Sequence, residues 1–208
     1  MYETCTLFSV IILFAILFAI GLRVNSSLMR KYAEQIKDIS LHFCKFVGFR
    51  RYGRGFQALC MLKDPKPFTR IDATLSLTWR ENPMYYILSP ITKDKDRIFV
   101  WGTLRKKPKF NLQIYNRKYL KNIEYDKALE RADLNDIGVI VLTDDMSKTN
   151  TVLNRMSHLL SSSGNNIEFI SIDKNEGWIK VRGYIMNDES IRNIFDLLLR
   201  FGNIIEEM

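Results

Sequence analysis

The chain is poor in the residues that build most metal sites and many catalytic ones. Its 208 residues include two histidines, His42 and His158, and three cysteines, Cys5, Cys44 and Cys60. The histidines lie far apart and no CxxC pair occurs, so no zinc ligand set is legible. The cysteines are irregularly spaced, and Cys5 borders an apolar segment. That pattern predicts no disulfide framework and suits a reducing cytoplasm. No GxSxG or HExxH occurs, and no internal repeat is present. Gly53-Arg54-Gly55 lacks a P-loop lysine and does not cradle a nucleotide. Asp144-Asp145 resembles a carboxylate pair, but between a strand and a helix it reads as a helix cap. These absences predict a protein that is not an enzyme. They point to no catalytic residue, cofactor, metal or small-molecule substrate.

Charge is missing from one stretch altogether. Residues 6–22, TLFSVIILFAILFAIGL, carry none. A bilayer admits a single segment only as a helix, because each backbone polar group must be satisfied without water. Seventeen residues rise about 25 Å, slightly under the hydrocarbon thickness, and Cys5, Arg23 and Val24 extend them. The alternatives are a cleaved signal, which calls for a basic n-region where this chain has Met-Tyr-Glu, and a buried core helix. Only Glu3 is charged before the span, whereas Arg23, Arg30, Lys31, Lys37 and Lys45 follow it. The positive-inside rule then predicts an N-terminus outside and a cytoplasmic domain.

The charge that is present is unevenly placed. The net charge of +8 resolves into +8 over 23–70, +7 over 71–123 and −6 over 124–208, with Glu3 making the balance. A basic half next to the span suits anionic lipid or a polyanion such as ribosomal RNA. Two dense clusters are the candidate phosphate contacts: Arg50, Arg51 and Arg54, and Arg105, Lys106, Lys107 and Lys109. Outward-facing, solvated cations are the simpler reading of both.

Periodicity supplies the elements. Met29, Tyr32, Ile36, Ile39, Phe43 and Phe46 share one stripe, predicting an amphipathic helix over 28–47. Phe49–Phe56 reads as a glycine-containing turn. Strands are predicted over 56–62, 71–80, 97–104 and 110–115, with 84–88 as a return strand. A short helix is expected within 127–134. The end reads as βαββα. Its strands are 137–142, 167–172 and 178–186, and its helices run from 146 to 161 and from Asn187 or Asp188 to Gly202.

The predicted fold class is α+β. One N-terminal transmembrane helix precedes a cytoplasmic domain with antiparallel sheet and a C-terminal ferredoxin-like βαββα part. The predicted divisions are 1–5 outside, 6–22 in the membrane, 23–48 as a membrane-proximal helix, 49–123 as a basic strand-rich part and 124–208 as an acidic part. The span, the following helix, the segment FQALCMLKDP and the segment DRIFVWGTLRKKPKF resemble the calumin family, a coiled-coil membrane protein of the endoplasmic reticulum that joins the PAT complex at the translocon. The resemblance implies a helper in membrane-protein insertion that contacts ribosome, translocase or insertase subunits. The alternative from charge alone is an anionic-lipid-binding tether for a cytoplasmic protein.

Overall fold

The computed structural model describes residues 2–92, 94–119, 129–134, 138–163 and 166–208. One helix, α1 (Tyr2–Ser40), contains the apolar run and continues unbroken into the domain. From Cys5 to Ile20 its side chains are exposed, apart from half-buried Leu17. From Gly21 onward one face turns inward, through Asn25, Tyr32, Ile36 and Ser40. The predicted stripe therefore packs on the core up to Phe43. The helix itself stops at Ser40, and Phe46 lies exposed on a strand.

That strand, β1 (Cys44–Tyr52), pairs with β2 (Gly55–Leu62) in an antiparallel hairpin, so the chain reverses at Gly53-Arg54. Gly53 has φ +53°, which a glycine adopts without steric cost. Next come β3 (Phe68–Ser76), α2 (Pro83–Thr92), β4 (Arg97–Leu104) and β5 (Leu112–Asn116). After them follow β6 (Glu130–Leu134), β7 (Val139–Thr143), α3 (Met146–Ser163), β8 (Ile167–Asp173), β9 (Trp178–Tyr184) and α4 (Ser190–Glu207). The strands form one nine-stranded sheet in the order β1-β2-β3-β4-β9-β8-β5-β7-β6, with every pairing antiparallel. Strands of the basic and acidic parts interleave, because β9 pairs with β4 and β5 lies between β8 and β7.

Alternation sets the layers. In β4, Ile98, Val100, Gly102 and Leu104 face inward, while Phe99, Trp101 and Thr103 are half-buried on the other face. Ile179 and Val181 of β9 continue the inward face. Helices α1 and α4 pack against the sheet, and α4 contributes Ile191, Ile194, Leu198 and Phe201. Gly202 does not end α4 as expected. It lets the helix pass close to Phe68, whose Cζ would lie 2.4 Å from a Cβ at position 202.

Other expectations are corrected. Residues 84–88 are helical: Asn82 Oδ1 accepts the Met84 N–H at 3.0 Å, and Pro83 occupies the first helical position. Asn-Pro here starts a helix rather than turning a hairpin. Residues 130–134 are strand, held by pairing with β7, while 127–128 lie outside the described residues. Helix α3 continues through Ser163, beyond the predicted loop start. Neither Asn187 nor Asp188 is the N-cap of α4. That position is Glu189, and the Ser190 hydroxyl joins Asn187 Oδ1 to the Met186 and Asn187 amides. The expectation of no disulfide is also overturned. Cys44 and Cys60, buried on adjacent strands with Cα atoms 5.7 Å apart, are bonded. Sequence spacing concealed a pair that strand register brings together.

Candidate functional site at the two ends of the sheet

The seven candidate cations fall at opposite ends of one sheet. Across one end, the register runs Tyr52, Gly55, Ser76, Arg97 and Tyr184. Across the other it includes Leu62 opposite Cys44, Leu104 opposite Phe68, and Trp178 opposite Thr103. The β1–β2 turn lies at the first end and the loop after β4 at the second. Eight strand residues put the two ends about 27 Å apart.

The first end is where the apolar helix enters the domain. A Cβ at Gly21 would lie 2.0 Å from the Arg80 carbonyl oxygen and 2.7 Å from Glu81 Cα. Glycine permits this crossing. One turn later, Asn25 Nδ2 donates to Glu81 Oε2 at 2.5 Å and to the Thr78 carbonyl at 3.2 Å. Arg80 donates to Asn25 Oδ1 at 3.1 Å and to both Asp96 carboxylate oxygens at 2.8 and 3.0 Å. Asp96, with its side chain 4% exposed, also accepts the Thr78 amide at 2.9 Å and the Tyr32 hydroxyl at 3.3 Å. A buried carboxylate held by this many donors is fully compensated, and the network fixes α1 against the loop between β3 and α2.

The hairpin tip stands beside this junction. Leu22, Asn25, Ser26 and Met29 of α1 line one notch with Arg51, Gly53 and Arg54. Arg51 and Arg54 are exposed. The Arg54 guanidinium sits 5.2 Å from the Trp79 ring centroid, in cation–π range. Arg50 is engaged differently: its Nε donates to Oε1 of buried Gln57 at 2.8 Å. Near it, burial pushes the Asp72 carboxyl above its usual value, against the opposing pull of Arg70 and Arg50.

The second end carries Arg105, Lys106, Lys107 and Lys109, all exposed. Lys107 is committed, donating to the Asn175 carbonyl at 2.8 Å. Lys106, Lys107 and Lys109 share a depression with Lys148 and with Ile205 and Glu206 of α4. Close by, Asp144 accepts the Asn111 amide at 2.7 Å and Lys174 Nζ at 2.6 Å. Burial works against its ionisation, but the Lys174 and Asn111 hydrogen bonds hold its carboxyl below the usual range. Asp145 is the expected cap, accepting the Lys148 amide at 3.1 Å. Asp144 is not a cap. It ties the loop before β5 to the β8–β9 turn.

Lys148 and Trp79 escaped sequence reasoning because each is isolated in sequence and joins a cluster only through the fold. No family model and no curated protein matches this chain. Among solved structures, the crystal structure of the mycobacterial trehalose monomycolate transport factor A, TtfA, is similar with a TM-score of 0.39. Identity is 12%, over 76% of this chain and 73% of that one. The fold and its leading helix define an α+β protein with a large antiparallel sheet and, among the described residues, one helix apolar and long enough to cross a membrane.

Proposed function

We propose that the protein is a non-enzymatic, single-pass membrane adaptor, with its N-terminus outside and its domain in the cytoplasm. In this reading the loop Arg105–Lys109 contacts a polyanion, and the calumin resemblance suggests ribosomal RNA beside a translocase or insertase. The C-terminal β7-α3-β8-β9-α4 elements are read as ferredoxin-like in order. The observation carrying the proposal is the distance between anchor and basic loop. The α1 segment from Leu22 to Ser40 rises about 27 Å as a rigid helix. It holds the far cations away from lipid, where they meet a soluble partner. Co-sedimentation of the purified full chain with ribosomes tests this. Binding that disappears with salt or ribonuclease supports the reading. Absence of binding at low salt contradicts it.

A second reading is favoured by Arg51 and Arg54 beside Leu22. These cations stand where the helix leaves the apolar run, at the height of lipid headgroups. The protein is then an anionic-lipid-binding tether for a cytoplasmic protein.

Orientation rests on flanking charge, and the Cys44–Cys60 bond favours the opposite side. Glutathione keeps most cytosolic thiols reduced, intracellular proteins of hyperthermophiles being the exception. Protease protection in sealed, cytoplasm-side-out vesicles decides the matter. Digestion of the domain supports a cytoplasmic location, and its protection overturns it.

A further inference from the structure

Among the described residues, helix α2 is, besides the apolar run of α1, an apolar element that the fold leaves uncovered. Its sequence, PMYYILSPIT, has no charged residue, and none of its residues is buried. Tyr85 and Ser89 are half-buried, one turn apart, and mark the side turned toward the protein. Met84, Ile87, Leu88 and Ile91 are exposed, Ile91 at 77%. A soluble surface rarely presents so large an apolar fraction without an occupant.

Position identifies that occupant. Helix α2 begins three residues after Arg80, whose carbonyl touches α1 at Gly21. Gly21 belongs to the last turn of the apolar run. Helices α1 and α2 are in contact. Leu17, on the same face as Gly21 and one turn deeper in the run, is half-buried while its neighbours are exposed. The uncovered helix therefore starts at the height where the span leaves the hydrocarbon. Ten residues rise about 15 Å, too short to cross a bilayer but long enough to lie in its interface. Tyr85 and Tyr86 are residue types enriched at that depth. Charge returns immediately on either side, with Arg80 and Glu81 before the helix and Asp94, Lys95, Asp96 and Arg97 after it.

We infer that α2 is an interfacial helix embedded in the same lipid leaflet that α1 enters, with Ile87 and Ile91 among the acyl chains. It gives the domain a second point of attachment and fixes its tilt and rotation about the span. A single helix leaves that rotation free, whereas two contacts held together by the Asn25–Arg80–Asp96 network do not. The inference rests on α1 being a membrane span.

The test uses the full chain in lipid nanodiscs, with Cys5→Ser removing the free thiol and Cys44 and Cys60 bonded to one another. A nitroxide is placed singly at Ile87→Cys, Ile91→Cys, Ile12→Cys in the span and Asn154→Cys on α3. Collisions with oxygen are compared with those of a water-soluble nickel complex. The expected result is oxygen-dominated relaxation at Ile12, Ile87 and Ile91, with Ile87 and Ile91 about 5–10 Å below the headgroup boundary, and nickel-dominated relaxation at Asn154. Nickel-dominated relaxation at Ile87 and Ile91 with Ile12 in lipid overturns the inference and leaves the span intact. Shielding of Ile87 and Ile91 from both probes also overturns it, by showing a second copy on the helix. A nickel-accessible Ile12 overturns the span itself.

Discussion

The two ends of the sheet use the same residue types to opposite effect. At the end where α1 enters the domain, Asp96 and Arg80 are locked together in the interior, and the surface mixes the exposed cations Arg51, Arg54 and Arg97 with exposed Trp79 and the apolar helix α2. At the far end, charge is turned outward. Arg105, Lys106 and Lys109 are exposed, while the apolar residues Pro108 and Phe110 between and beside them are buried. In the proposed reading, the far loop, with lysines facing water and a proline facing the core, meets a soluble, charged partner, and the junction, with its buried ion pair and exposed aliphatic side chains, meets lipid. The unequal ends teach that counting cations along the chain hides their surroundings, because seven basic residues read as one kind of site occupy two environments.

The first way to break this comparison is to remove the central carboxylate at each end. Asp96→Ala leaves the Arg80 guanidinium half-buried without its partner, and it removes the acceptor for the Thr78 amide. The expected loss is about 3–5 kcal/mol, read by urea denaturation in detergent. Asp144→Ala, at a more exposed site, is expected to lose about 1–3 kcal/mol. Equal losses would show that the span-end network has no special role in holding α1.

Reduction of Cys44–Cys60 sharpens the comparison from the far side, since the bond ties the start of β1 to β2 at the end away from the span. Closing a segment of sequence separation 16 corresponds to about 3 kcal/mol of chain entropy. The same unfolding curve with and without reductant should show this loss, and unchanged midpoints would remove the bond from the stability account.

Arg51→Glu with Arg54→Glu is expected to weaken association of the full chain's domain surface with anionic lipid. In nanodiscs, depth-sensitive labelling of the hairpin tip should move outward when phosphatidylserine is present, with about 1 kcal/mol lost per arginine. No dependence on lipid charge would leave both arginines as solvated surface.

The smallest effect concerns Asp72. Its folded carboxyl titrates above the ordinary value, chiefly through burial. The folded state therefore binds that proton more tightly than the unfolded state does, and ionised Asp72 costs stability at neutral pH. Asp72→Asn is expected to raise the melting temperature slightly at pH 7. The advantage should vanish as pH falls through the raised titration. A constant difference across that window would contradict the assignment.

The strand most legible in sequence was β3, where Ile71, Ala73 and Leu75 alternate with Asp72, Thr74 and Ser76, although the strand ends at Ser76 and the expected continuation to Arg80 is not strand. The apolar run of α1 was equally plain. Strand β1 was missed because the apolar stripe of α1 continues in register as far as Phe46 and hides the break after Ser40. Helix α2 was missed for a different reason: ten residues without charge show neither helical nor strand periodicity. Asn82-Pro83 was the available signal, a cap followed by proline at the first position. The far basic loop was legible because its lysines adjoin in sequence. The span-end junction was not, since Gly21, Asn25, Arg80 and Asp96 meet only through long-range packing.

The most direct measurement exchanges the roles of the two basic sets. Ribosome co-sedimentation would be measured for the full chain in nanodiscs, for Arg105→Glu/Lys106→Glu/Lys109→Glu, and for Arg51→Glu/Arg54→Glu. The expected result is salt-sensitive binding abolished by the first set and retained by the second. Binding lost with the second set and kept with the first would contradict the division of labour between the two ends.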